Sequence, residues 1–209
     1  MLTQTQLAEL LLWGPCVLNI LGVWSQIKHN YELRSTHGIS YLMLGIFHFA
    51  ALCLCMYIYL MDLPFALKVM VPIEVLAITV MVGQEMWYAP TLLFRAQVMV
   101  LHGGIVALIT LLWLLGFSYS FIVGNVAGWA ATAALALVQL PQIVRTWRCK
   151  STHGFSTGIL VYGTLSPLLI LWCCYQLTMP LQSWVNASRA LVYRVIQWCQ
   201  FLVYPRDRH

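Results

Sequence analysis

Few side chains in this 209-residue sequence carry charge, and their placement limits the chemistry open to it. Glu74, His48 and His102 each stand alone inside a long apolar run. Further along, Asn186, Arg189, Tyr193, Gln197 and Gln200 recur every three or four residues, the spacing that lines up one face of a helix. An isolated acid and an isolated base suit the amino and carboxylate groups of a zwitterion. They equally suit each other, as a structural ion pair. His48, with an ordinary pKa of about 6.5, is suited to carrying a proton, or else it is a packed neutral histidine. Tyr162, Ser166 and Pro167 add a polar stretch to another apolar run, where Pro167 is placed to open the helix. Asn19 and Asn125 are further isolated polar groups.

No other chemistry is spelled out. The sequence has no glycine-rich phosphate loop, no His-Glu-x-x-His and no Cys-x-x-Cys pair, so neither a metal nor an organic cofactor is expected, and no enzyme. The seven cysteines mostly sit in apolar runs as small hydrophobes. Asn186-Ala-Ser188 matches a glycosylation sequon but falls within an apolar run, where it is expected to be inert.

The elements that hold these residues follow from composition. Apolar residues make up 61% of the chain and charged residues 8%, with a mean hydropathy of +0.81. A soluble domain carries about a quarter charged residues, so soluble enzymes and nucleic-acid-binding modules are excluded as whole-chain readings. Apolar runs cover 6–27, 39–60, 65–83, 93–115, 119–143, 155–178 and 182–204. Each approaches the roughly 20 residues a helix needs to cross about 30 Å of hydrocarbon. The runs lack period-two alternation, which favours helices over a barrel. At about 1.5 Å per residue, Glu74 falls near the bilayer midplane, with His48 and His102 at comparable depth. An ionisable group there costs about 2.5 kcal/mol or more and needs a reason. Lys68 and Arg194 lie nearer the ends of their runs and are expected to snorkel.

Lys28, Arg34, Arg95, Arg145, Arg148, Lys150, Arg206 and Arg208 fall on one side of the membrane if there are seven spans. The positive-inside rule then places the amino terminus outside and the carboxyl terminus in the cytosol. The net charge of +5 therefore reports topology, and no nucleic-acid partner is implied. The uncharged or acidic start of the chain does not read as a cleavable signal peptide.

The sequence also repeats. A shift of 116 residues superposes Gln26-Ile27 on Gln142-Ile143, and Ser35-Thr-His-Gly38 on Ser151-Thr-His-Gly154. The same shift pairs Ser40 with Ser156, Trp13 with Trp129, Tyr59 with Tyr175 and Pro64 with Pro180. One register across two spans and both flanks marks an internal duplication. The expected fold is an all-α membrane protein of seven transmembrane helices in a 3+1+3 parallel repeat. Its first three-helix unit is 1–91, a linker helix is 92–117 and the second unit is 118–209. Transporters built this way place the substrate between the halves near the midplane. The shift also places Glu74 one position from the symmetry mate of Arg189.

Leu140-Pro141-Gln142-Ile143 followed by Lys150-Ser-Thr-His-Gly-Phe-Ser156 resembles the signature of the PQ-loop family, whose relatives include SWEET sugar carriers, cystinosin-type exporters and the KDEL receptor. The resemblance covers nearly the whole chain. It implies seven helices with an outward amino terminus, and a substrate drawn from sugars, amino acids or peptide signals. It also supports placing polar substrate contacts on the third and seventh spans.

Pro141 removes a backbone donor and clashes with the preceding turn, so a kink is expected near the end of its helix, with Gln142 satisfying freed groups. In the first copy Ser25 replaces the proline and Gln26 is retained, while Gly14-Pro15 lies deeper, so the two halves are expected to bend at different depths. Ser40 and Ser156 are suited to N-capping, Gly38 and Gly154 to positive φ, and His37 and His153 to the solvated interface. The expectation is an alternating-access transporter of a small polar solute, amino-acid-like in preference to sugar, with Glu74, Arg189, His48, Tyr162, Asn186 and Tyr193 as substrate contacts. Pro141, Gln142, Gln26 and Pro15 form its hinges. A receptor or accessory protein without net transport is the alternative. The implied partners are the lipid bilayer, a small-molecule solute and a coupled proton, with the oligomeric state open. The tail after Tyr204 carries no evident sorting signal, which favours a bacterial inner membrane over a lysosomal or other endomembrane.

Overall fold

In lipid every backbone N–H and C=O must find a partner within the protein, and continuous apolar runs do so as helices. The computed structural model describes residues 4–36, 39–62, 65–116, 118–152, 155–176 and 181–204; the side chain of Asn186 lies outside that description. The helices are α1 (Gln4–Leu33), α2 (Tyr41–Leu60), α3 (Phe65–Trp87), α4 (Leu92–Gly116), α5 (Ser120–Leu137), α6 (Leu140–Cys149), α7 (Thr157–Gln176) and α8 (Leu181–Val203). Six stretches are long and apolar enough to cross a membrane: α1 from Leu10, α2, α3, α4, α5 with α6, and α7 to Tyr175. The expected seventh, α8, has the length but not the hydropathy, because Arg189, Arg194, Gln197 and Gln200 lie along it.

The helix ends correspond across the 116-residue shift. Moved by that amount, α1 covers the span of α5 and α6, α2 that of α7, and α3 that of α8. The packing partners correspond too. α1 lies against α7 and α2 lies against α5, the same contact with the halves exchanged. α3 packs on α2 as α8 packs on α7, while α4 lies against α2, α3 and α5. The two sides differ where α1 packs extensively along α3 but α5 and α6 barely touch α8.

One expectation about the ends is corrected. The apolar run 6–27 predicts a polar break from Lys28, yet α1 continues to Leu33, because Gln26 and Asn30 are buried by hydrogen bonds instead of facing water. Positive φ is found at Arg34 (48°) and Lys150 (52°), which are themselves 116 residues apart. The Ser35 N–H reaches back to the Asn30 carbonyl at 3.2 Å, closing α1 in a Schellman-type turn that requires a left-handed residue. Gly38, Gly154, His37, His153, Pro64 and Pro180 lie outside the described residues. The turns that hold the two Ser-Thr-His-Gly blocks nonetheless close alike, from the Ile39 N–H to the Thr36 carbonyl (2.9 Å) and from Phe155 to Thr152 (3.2 Å).

Candidate functional site

The residues of the doubled motif meet across the two halves. Gln142 on α6 accepts the Ser40 N–H at 2.8 Å, and Gln26 on α1 accepts the Ser156 N–H at 2.7 Å. Each glutamine thus satisfies a backbone donor at the start of the other half's second helix, one of the donors a helix N-terminus leaves free. Ser40 caps α2 through Met43 N–H (3.3 Å), and Ser156 accepts from Gly158 N–H (3.1 Å). The glutamine amide groups turn back along their own helices, to Asn30 (2.8 Å) and Thr146 (3.4 Å), again equivalent positions. Gln84 donates to the Ile27 carbonyl (2.9 Å), and its mate Gln200 donates to the Ile143 carbonyl (2.8 Å). Gln26, Asn30, Gln142 and Thr146 are all buried. This end of the bundle, the one bearing the basic residues, is closed by a duplicated polar network. Arg145 adds a bond to the Ile39 carbonyl, and Ser25 is joined to Ser156 side chain to side chain at 2.7 Å.

The prolines behave differently. Helical bonding is interrupted at Val138–Gln139, just before Pro141, which cannot donate to the Leu137 carbonyl and whose ring crowds it. The interruption separates α5 from α6, although Val138 and Gln139 keep right-handed helical backbone angles. Pro15, in contrast, sits within an unbroken α1, so the bend expected at Gly14-Pro15 appears as no break in the helix. The reason lies in α7. The Leu11 carbonyl, freed by Pro15, lies 4.0 Å from the Cys173 thiol, and the Ser166 hydroxyl donates to the Pro15 carbonyl at 3.2 Å. Pro167 likewise leaves α7 continuous.

The polar stripe on α8 faces α5 and α6. Tyr193 donates to the Ala136 carbonyl at 2.8 Å, Gln197 to the Gln139 side chain at 2.9 Å, and Gln200 to Ile143. Arg189 lies with its guanidinium 5.8 Å from the centre of the Tyr193 ring, and its Nε is buried without a hydrogen-bond partner. Glu74 is half-buried on α3, within electrostatic reach of the Cys16 thiol on α1. Among the described residues the ion pairs are Lys28–Glu32 (3.7 Å) and Lys68–Asp62, so Glu74 and Arg189 do not pair. Tyr162 is half-buried, its Cβ passing beside Gly22 of α1, where an added Cβ would lie 3.5 Å from it. Asn186 falls on α8, its side chain outside the described residues.

Two groups take places the sequence reading did not give them. His102 meets His48: their Nδ1 atoms are 3.0 Å apart in a buried contact between α2 and α4. At that distance one Nδ1 carries the hydrogen and the other accepts it. Arg194, expected to snorkel, instead turns inward onto Gly163 of α7 and donates to Gln197 at 2.8 Å. Lys68 does stay near its helix end, where it pairs with Asp62 in the α2–α3 turn and holds that carboxyl below its usual range. Trp129 is exposed and Trp13 half-buried, so the matched tryptophans have unlike surroundings. A void of about 430 Å³ between α2, α4 and α5 is walled by Phe49, Leu101, Ile105, Ala130 and Ala134 among other apolar residues, and has nothing to hold a polar solute.

An all-helical chain with several membrane-crossing helices and motif residues bonded reciprocally between equivalent positions defines a multi-pass integral membrane protein. The PQ loop repeat family matches residues 8–67 and 123–177, together more than half of the chain, and the chain belongs to that family. A comparison with curated proteins gave no match.

Proposed function

We propose that the protein is a carrier of a small polar solute that works by alternating access. In this reading the seven rods form two parallel three-helix units, 1–91 and 118–209, joined by α4. The amino terminus is outside and the basic, motif-bearing end faces the cytosol. The observation that carries the reading is the pair of glutamine latches, Gln26 to Ser156 and Gln142 to Ser40. Their partners are backbone N–H groups at helix starts, which water can satisfy when the halves part. The latch can therefore open without stranding buried donors, as a gate must. The interrupted α5–α6 rod supplies the joint on one side. Pro15, whose freed carbonyl is covered by α7, is the weaker hinge.

Glu74, Arg189, Tyr162, Tyr193 and Asn186 are proposed as solute contacts, favouring an amino-acid-like substrate over a sugar. Glu74 or His48 is proposed as the proton carrier, with His102 able to share the proton that His48 holds. The test is uptake into proteoliposomes across a panel of amino acids and sugars, with and without an imposed pH gradient. One solute class accumulates, and a Glu74→Gln, Arg189→Gln double variant loses that uptake. Transport by the double variant at the native rate removes the two residues as ligands. Ligand-induced stabilisation with no counterflow makes the protein a receptor instead.

A further inference from the structure

Arg194 is a full positive charge on the inward face of α8. Ala187 and Gln197 on that face are buried, whereas Val192, Val195 and Ile196 on the other are exposed. Gly163 makes room for it: a Cβ there would stand 2.6 Å from both the Arg194 Nε and Nη2. Gln197 accepts from Nη1 at 2.8 Å and is itself held by Gln139 at 2.9 Å, so the guanidinium is oriented. No carboxylate pairs with it among the described residues. A charge in this position costs free energy unless it is paired.

The duplication shows that the fold does not need this charge. The residues 116 positions earlier are Val23, Phe47, Ile78 and Met81, which belong to one apolar core cluster. Where the first half fills the space with hydrocarbon, the second half presents Gln139, Gly163, Arg194 and Gln197.

A guanidinium offers parallel donors that match a carboxylate or phosphate. We propose that Arg194, seated on Gly163 and oriented by Gln197 and Gln139, is an oxyanion-binding site. Its ligand is the acidic group of a small solute. This deepens the carrier reading: the solute moved carries a carboxylate or phosphate.

The test is thermal unfolding of the purified full chain in uncharged detergent. The probes are glutamate, succinate and inorganic phosphate, with succinamide, which has no acidic group, as the control, and separately anionic against zwitterionic phospholipid. Glutamate or another free anion raises the midpoint more than succinamide does. In Arg194→Met and Gly163→Ala the concentration needed rises by at least about tenfold. The Arg194→Met variant stays folded, because Ile78 shows that hydrocarbon suits the equivalent position. Gly163→Ala tests the seat without removing the charge. Succinamide acting as well as succinate, or an anion effect that survives Arg194→Met, overturns the proposal. Stabilisation by anionic phospholipid alone, lost in Arg194→Met, upholds an oxyanion site but overturns the solute as its ligand. Anion binding without counterflow leaves the site standing and removes the carrier. Uptake confined to solutes without an acidic group and unchanged in Arg194→Met keeps the carrier and removes the site.

Discussion

The two halves share helix bounds and capping geometry yet differ in what fills equivalent space. In the first half, α1 is an unbroken rod packed along α3, and Val23, Ile78 and Met81 close the interior. In the second, the rod is broken before Pro141, α5 and α6 barely touch α8, and the same positions hold Gln139, Arg194 and Gln197. One backbone arrangement thus supports both a packed wall and a polar, loosely joined one. The difference teaches which features serve the fold and which serve something else. The glutamine latches occur twice and belong to the shared frame. The arginine cluster occurs once, at the expense of packing.

The sharpest way to break this contrast is to exchange the interiors. Ile78→Arg puts an unpaired charge into the apolar cluster and is expected to destabilise by about 3–5 kcal/mol or prevent folding, while Arg194→Met leaves the unfolding midpoint unchanged or raised. Equal losses from the two, by thermal unfolding, would mean the halves are packed alike. The latches should be more nearly matched. Gln26→Leu and Gln142→Leu each strand a helix-start N–H at a cost of about 1–3 kcal/mol. Gln26→Leu is the worse of the two, since Gln26 also orders Asn30, which bonds Gln84 at 3.1 Å.

The joint sharpens the comparison kinetically. Pro141→Ala restores a donor for the Leu137 carbonyl and is expected to slow uptake several-fold, whereas Ser25→Ala changes it little; equal effects would remove the hinge. The smallest effect is at the α2–α3 turn. Lys68 lowers the Asp62 carboxyl, so the pair stabilises the fold above the ordinary carboxylate range, and this is lost as pH falls through the lowered value. Because Asp62 is exposed, Asp62→Asn should shift the midpoint by less than about 1 °C at neutral pH.

Much of this could be read directly from residue order. Apolar runs, motif spacing and the 116-residue register each depend on nearest neighbours along one chain, and they placed Gln26, Gln142, Ser40 and Ser156 at equivalent positions. The partners of those residues could not be read, because the latches join residues 102 and 130 positions apart. The contact of His102 with His48 could not be read for the same reason: His102 lies in the unduplicated helix, and only the packing of α4 on α2 brings the two together. Arg194 was misplaced because a residue near a helix end can snorkel or turn inward. The choice depends on what faces it. The repeat register did carry a signal, since a glycine at 163 opposite a phenylalanine at 47 marks a place where the second half makes room.

Local sequence therefore determined that this chain folds as lipid-compatible helices, where they begin and that they come in two related sets, because hydropathy and backbone capping act over a few residues. Tertiary structure alone decided that Glu74 and Arg189 do not pair, that Cys173 of α7 reaches the Leu11 carbonyl freed by Pro15, and that Arg194 points inward. Each of those outcomes turns on which side chains from another helix reach a given carbonyl, carboxylate or guanidinium, and that distance is set by packing between helices.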